Sequence, residues 1–574
     1  MSLDALPTTG EDAMTWSWSQ FAPYYEDLLA RPLTADRVEA WLADWTRIAA
    51  LVEEANTRFY VGTTTNTADP ELDQRYKTFL DEVQPRVREA EQAVKAKLIA
   101  SGLEPTGFAL PLRRLRTDAE LFRDANLPLL AEESKVVLEY EQLAGARTVT
   151  WDGAEIPMTR ISPVLMSPDR DRRERAWRTM MARTDADTVA LGDIWRRLLA
   201  VRTRIAANAG YDNYRAYKWR QRYRFDYTPD DTLRFHDAIE HVVVPAARRL
   251  NERHRARLGV PALRPWDTEV DPAGRPPLRP YSDIGELEAT TARIFHQVDP
   301  ELGAYFDTMR AEHLLDLDSR PNKAPGGYEL TYEVVHLPFI FANSVGVHDD
   351  VQTLLHEGGH AFHSFEMTRL PYLQQRSETM VPTEFAEVAS MGMELLASPY
   401  LAADKGGFYT DAEAARARIE TLEAHITFWP YMAMIDALQH WMYTHPDEAA
   451  DLDRCDAMWI ALLARFQPDI DWRGLDRERV LRWHRQGHVF AEPFYYVEYG
   501  MAQLGAVQLL GNALRDQAGT VDAYRRALRL GGTASVPALY AAAGARFAFD
   551  AATLQEAVDL IERVCAELEP VAQG

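Results

Sequence analysis

Residues 351–363 read VQTLLHEGGHAFH, and this stretch decides what kind of chain surrounds it. It holds the pattern H-E-x-x-H as His356, Glu357 and His360. Residues four apart lie on one face of an α-helix, so the two imidazoles can close on a single metal ion. Glu357 follows the first histidine, where its carboxylate can serve as general base to a water beside that ion. Gly358 and Gly359 each cost about 1 kcal/mol relative to Ala in a helix interior. Something other than propensity must therefore hold this turn. Asp349 and Asp350 offer an N-cap, and Val351, Leu354, Leu355, Phe362 and Phe365 form an apolar stripe for packing.

A third protein ligand is needed, and geometry prunes the candidates. His363 shares the histidine face, but at 1.5 Å per residue it lies roughly 10 Å along the axis from His356, beyond the reach of bonds of about 2 Å. Glu366 matches a ligand position only if the chain turns at a glycine, and His363 stands there instead. The ligand is expected on a separate element. Residues 382–394, PTEFAEVASMGME, offer Glu384 and Glu387 at i and i+3, either of which can serve, while Glu394 suits a role orienting a histidine through its free ring N–H.

Working outward, residues 326–335 and 337–342 are β-rich in a chain that otherwise reads as helix. A short sheet beside the histidine helix can offer an open edge to an extended peptide. Residues 259–285 carry six prolines and read as an extended connection. Upstream, Thr34 is expected to cap a helix containing Trp41, Trp45 and Ile48. Asp73 to Ile99, 117–145 and 229–258 read as further long helices. Asp152-Gly153 marks a hairpin turn, and Ser167-Pro168-Asp169 opens a helix whose Arg170–Arg175 run reads as a solvated face.

Composition sets the frame. The 574 residues are 47% hydrophobic and 26% charged, ordinary for a globular protein with a large core. A net charge of -24 argues against nucleic acid or an anionic membrane as partner. No apolar run approaches the length of a membrane span and the first twenty residues lack signal-peptide features, so a cytoplasmic location is expected. Cys455 and Cys565, far apart, support neither a disulfide framework nor a thiolate site.

Late in the chain, residues 488–499 read HVFAEPFYYVEY, on composition alone an aromatic core edge. Taken with residues 350–364 and 385–390, however, this segment resembles the thimet-oligopeptidase-like zinc endopeptidases, in particular their oligoendopeptidase F branch; Leu263–Asp267 is a weaker echo. The likeness spans roughly residues 110–550, and three motifs in the right order are far more specific than one. It implies one zinc ion on His356, His360 and Glu387, with Glu357 as base and His488, Tyr496 and Tyr499 facing the scissile carbonyl; Tyr495 is also available. It implies a mainly helical, two-lobed body with a deep substrate channel and a small sheet beside the zinc helix. The expected division is an N-terminal helical lobe (1–195) and a catalytic region (196–574). Within the latter fall the zinc helix at about 349–367, the third-ligand helix at about 382–398 and the substrate segment at about 484–505. The implied activity is internal cleavage of short unfolded peptides. Two departures stand out: Gly358 replaces a larger residue, and the His-to-Tyr spacing differs by about one residue. A helical zinc carboxypeptidase or dipeptidase remains the alternative, as does a non-catalytic peptide-binding relative, although binding alone needs no Glu357.

Overall fold

A computed structural model describes residues 3–573, and the chain is mainly helical with two small sheets. Strands β1 (Thr148–Trp151) and β2 (Ala154–Pro157) form an antiparallel hairpin. Asp152 and Gly153 both take positive φ, 49° and 84°, the geometry of a tight two-residue turn. The second sheet has the order β3-β5-β4, with β3 (Leu315–Asp318) parallel and β4 (Tyr328–Tyr332) antiparallel to β5 (Leu337–Ser344). β4 is therefore an edge strand.

Apolar burial forms four clusters, and the two lobes built on the three largest do not follow chain order. One lobe joins the N-terminal helices, clustered around Trp41, Trp45 and Phe59, to the second sheet and the histidine helix (His348–Met367). Hydrogen bonds seal that junction: Glu54 is fully buried and accepts the Val334 N–H at 2.6 Å, and Thr64 bonds the Tyr328 hydroxyl at 2.6 Å. The other lobe gathers Trp195, Trp429, Trp459 and Trp483. Two helices, Thr383–Ala397 and Tyr496–Ala513, contribute apolar residues to both lobes and run between them. The boundary expected at residue 195 falls inside the helix Thr188–Ala209, where Trp195 and Leu198 share one cluster with Trp429, so the chain is not divided there.

Proline accounts for most of the helix boundaries that differ from expectation. The segment 73–99 is Pro70–Thr78 and Gln84–Ser101 joined by a π turn at Phe79–Val83, and 229–258 is interrupted the same way at Ile239–Val243. Each π turn comes just before a proline, Pro85 or Pro245, whose missing N–H and bulky ring break the regular bonding. The segment 117–145 splits at Phe122, and the second helix starts at Leu127-Pro128. Thr34 caps nothing: its hydroxyl donates to Asp36 and the helix begins at Val38.

The Arg170–Arg175 run is only partly solvated. Arg173 is 1% exposed and, with Arg170, holds the fully buried Asp267 at 2.9 and 2.7 Å. Removing one partner of a buried pair leaves the other charge uncompensated, so Asp267→Asn is expected to cost about 3–5 kcal/mol, read from denaturant unfolding. No helix among the described residues is long and apolar enough to cross a membrane.

Candidate metal centre

The histidine helix is started by Asp350 from inside its first turn. Its Oδ2 accepts the N–H groups of Val345, Gly346 and Val347 at 2.8–2.9 Å, so Asp350 satisfies the helix start from N3 while Val347 is the N-cap residue. At the far end, Glu366 is fully buried between Arg525 (2.7 Å) and Arg529 (2.6 Å). That pairing accounts for Glu366 without a ligand role. His363 is packed edge-on to Phe385 with 3% exposure.

The glycine pair explains how a second helix comes close enough to matter. A Cβ on Gly359 would stand 2.5 Å from the Ala389 carbonyl oxygen and 2.6 Å from Ser390 Cα, so the helix Thr383–Ala397 crosses here with backbone against backbone. A Cβ on Gly358 would meet the edge of the Phe295 ring at 2.6 Å, so a larger residue there requires that ring to shift.

This crossing brings Glu387 to the histidines. Its Oε2 lies 3.5 Å from His356 Nε2 and 3.8 Å from His360 Nε2, and one donor atom from each of the three falls within 4.8 Å of the others. Among the described residues no other three His, Cys, Asp or Glu converge this way. Two imidazole nitrogens and a carboxylate oxygen are a donor set suited to zinc. Glu384, the other candidate, points away and accepts the Tyr227 hydroxyl at 2.7 Å. Glu394 accepts from His356 Nδ1 at 2.7 Å, which leaves Nε2 free toward Glu387. Such orienting partners typically carry 10- to 100-fold in metal affinity, so Glu394→Gln is expected to weaken metal binding by about that factor in a competition titration.

The electrostatics is that of a cation site. Burial alone would raise Glu387, yet His356 and His360 outweigh it and hold its carboxyl down at about 2. Burial depresses His356, but contacts with Glu387 and Glu394 override this and raise it well above the usual imidazole range. His360 is lowered to about 4, chiefly by burial. Glu357, 9% exposed, is pushed up to about 7 by burial, with the Glu329 backbone N–H of β4 bonded to its carboxylate. The edge strand and the candidate base thus touch.

The late segment closes the other side. Tyr495 donates its hydroxyl to Glu387 Oε1 at 3.1 Å, and Ser390 Oγ donates to Oε2 at 3.1 Å. Tyr499 packs edge-on to Tyr495 at 5.1 Å and is raised by burial first and then by Glu387 and Glu357. The Tyr496 ring lies against His488 at 4.7 Å as well as against Phe428 and Tyr431, and its hydroxyl is raised by burial first and then by Tyr431. Tyr495 bonds Glu387 directly and Tyr499 lies within reach of its charge, while Tyr496 meets the centre through the His488 ring, 4.7 Å away. His488 takes the Gln486 amide on Nδ1 at 2.7 Å, which leaves Nε2 to carry the proton. Gln439, fully buried, bonds the His488 carbonyl at 3.0 Å and accepts the Phe494 N–H, supporting Phe494 at a φ of 64° that a bulky residue rarely adopts. Of these residues Ser390, at i+3 from Glu387, had a spacing signal; Gln439 and Gln486 had none.

A model of peptidase family M3 matches residues 164–559, more than two thirds of the chain, and a model of the peptidase M3 N-terminal domain matches residues 13–106. The chain belongs to peptidase family M3. It is thus a metallopeptidase of the two-lobed helical kind, and solved structures agree along nearly its whole length. PZ peptidase A, solved with an inhibitor, is 26% identical with a TM-score of 0.85 over 97% of each chain. A protein assigned as oligoendopeptidase F is 26% identical with a TM-score of 0.86 over 97% of this M3 chain and 98% of its own. Another of that assignment, from Bacillus anthracis, shares the fold at 23% identity, a TM-score of 0.82 and coverage of 96% and 97%. No curated protein matches the sequence.

Proposed function

We propose that this M3 peptidase is a zinc-dependent endopeptidase that hydrolyses internal bonds of short unfolded peptides. The observation that carries the reading is the convergence of His356, His360 and Glu387 beside a buried Glu357 that is itself bonded to the backbone of the edge strand β4. His356, His360 and Glu387 would hold one zinc ion, which when bound supplies Lewis acidity and acidifies a water. The β4 edge offers backbone groups to an extended peptide and so aligns the scissile bond. Glu357 takes the proton of the attacking water and passes it to the leaving amine. His488 Nε2–H and the Tyr499 hydroxyl donate to the oxyanion as the carbonyl becomes tetrahedral. Tyr495 and Ser390 hold Glu387 in place through the two bonds above.

Peptides blocked at both ends test the reading. Internal cuts, located by mass spectrometry, stopped by a chelator and restored by zinc, are the expected result. Release of one or two residues from free C-termini alone, with blocked peptides untouched, would favour a carboxypeptidase or dipeptidase instead.

A further inference from the structure

The turn at Phe494 is gripped from outside by the segment 222–227, which follows the helix Tyr214–Gln221. Arg224 has a fully buried side chain, and its Nη2 donates both to the Phe494 carbonyl and to Glu498 Oε1, the latter at 2.7 Å. Glu498 is itself buried. Arg222 takes the outer side. Its Nε donates to the Pro493 carbonyl at 3.1 Å and its Nη2 to Glu492 at 2.8 Å, while its Nη1 lies 3.6 Å from Glu498 Oε2. The same guanidinium stands over the Tyr495 ring at 5.0 Å. The gripping segment is fixed in its turn: the Tyr223 hydroxyl donates to Asp118 at 2.6 Å, Asp226 accepts the Val536 N–H at 3.0 Å, and the Tyr227 hydroxyl reaches Glu384 on the helix Thr383–Ala397.

Cohesion alone does not account for Arg224. Its Nε and Nη1 are buried without a hydrogen-bond partner among the described residues, and so is Glu498 Oε2. Such unmade bonds cost stability, and an apolar side chain of similar size would fill the place without them. What the arginine holds is a peptide in a conformation it would otherwise leave. Phe494 sits at a φ of 64°, with its N–H held by Gln439 and its carbonyl by Arg224. That carbonyl belongs to the peptide leading into Tyr495, so its release turns the Tyr495 ring away from Glu387, its partner at 3.1 Å. Glu498 extends the control by one turn. Residues 495, 498 and 499 stand at i, i+3 and i+4 on one helix face, so the carboxylate held by Arg224 also fixes where Tyr499 points.

We propose that Arg224 is a positioning residue for peptide hydrolysis, setting Tyr495 against Glu387 and Tyr499 toward the scissile carbonyl, with Arg222 as the outer half of the same clamp. This rests on the peptidase reading above. In this role the two arginines act through the tyrosines and not on the substrate.

Kinetics in two backgrounds tests the clamp. Arg224→Gln is expected to lower kcat by about 10², the scale of a lost oxyanion donor, and Arg222→Gln by about tenfold, each with KM changed by less than about twofold. In a Tyr495→Phe/Tyr499→Phe background, on the residual activity that His488 still supports, the same substitutions should cost less than about twofold, because the groups they position are gone. A loss of packing alone costs the same in both backgrounds. Equal losses in the two backgrounds, or an unchanged kcat in either folded variant, overturn the inference. Should Arg224→Gln fail to fold because Glu498 is left buried and unpaired, Arg222→Gln decides alone, since its side chain is 12% exposed and that of its partner Glu492 is 60% exposed. If the unsubstituted protein cuts no peptide, the peptidase reading falls instead, and a crystal structure of Arg222→Gln still decides the clamp. Withdrawal of the Tyr495 hydroxyl from Glu387 is the expected result there, and an unchanged bond of 3.1 Å overturns the proposal.

Discussion

Gly359→Ala is expected to empty the metal centre without touching a ligand. The added methyl would sit 2.5 Å from the Ala389 carbonyl oxygen and 2.6 Å from Ser390 Cα, and backbone atoms on both sides leave no flexible side chain to yield. The two helices must separate, and Glu387, less than one turn from the contact, moves away from His356 and His360. Forced separation of packed helices typically costs about 1–3 kcal/mol. Metal binding is hit harder, because three donors within 4.8 Å are a condition for one ion to be shared. Metal content after gel filtration should fall to background, with a lowered midpoint in thermal unfolding. Gly358→Ala is the control: its methyl meets the edge of the Phe295 ring, which can shift, so metal content should persist. Full metal occupancy in Gly359→Ala would refute the account of why the helices cross there.

Glu357→Gln should abolish turnover and leave the ion in place. The side chain is no member of the three-donor group, yet it lies beside that group and against the β4 edge. The amide keeps the volume and the contact with strand backbone but cannot accept a proton from water. Loss of a general base commonly costs on the order of 10²–10⁴ in rate, so kcat should drop by that factor while KM and zinc content stay near their original values. Activity equal to the unsubstituted enzyme would remove Glu357 from the mechanism.

How much of this could be read from residues alone depended on the range of the interactions. The histidine pair, the base and the hairpin turn at Asp152-Gly153 are set by contacts within a few residues, and they appear where spacing put them. Choosing Glu387 over Glu384 was not local. Both are buried on one helix, and the choice follows from Tyr227, 157 residues away, which bonds Glu384. The same holds for the arginine run near 170, whose partner Asp267 lies 94 residues on from Arg173. Tyr495 was available but not favoured, because the spacing pointed to Tyr496 and Tyr499, whereas its contact with Glu387 depends on how the turn at Phe494 aims the next ring. Lobe boundaries were the least legible, since two helices share their faces between both apolar cores.

Glu366 adds a consequence for biosynthesis. The histidine helix leaves the ribosome well before Arg525, 159 residues downstream, which must arrive to neutralise that carboxylate. Until then only Arg369, three residues on and 3.5 Å away, faces that carboxylate, and the two closer cations of the helix's lower anchor are missing. A nascent chain therefore carries the histidine motif well before the two arginines that anchor the end of its helix have been made.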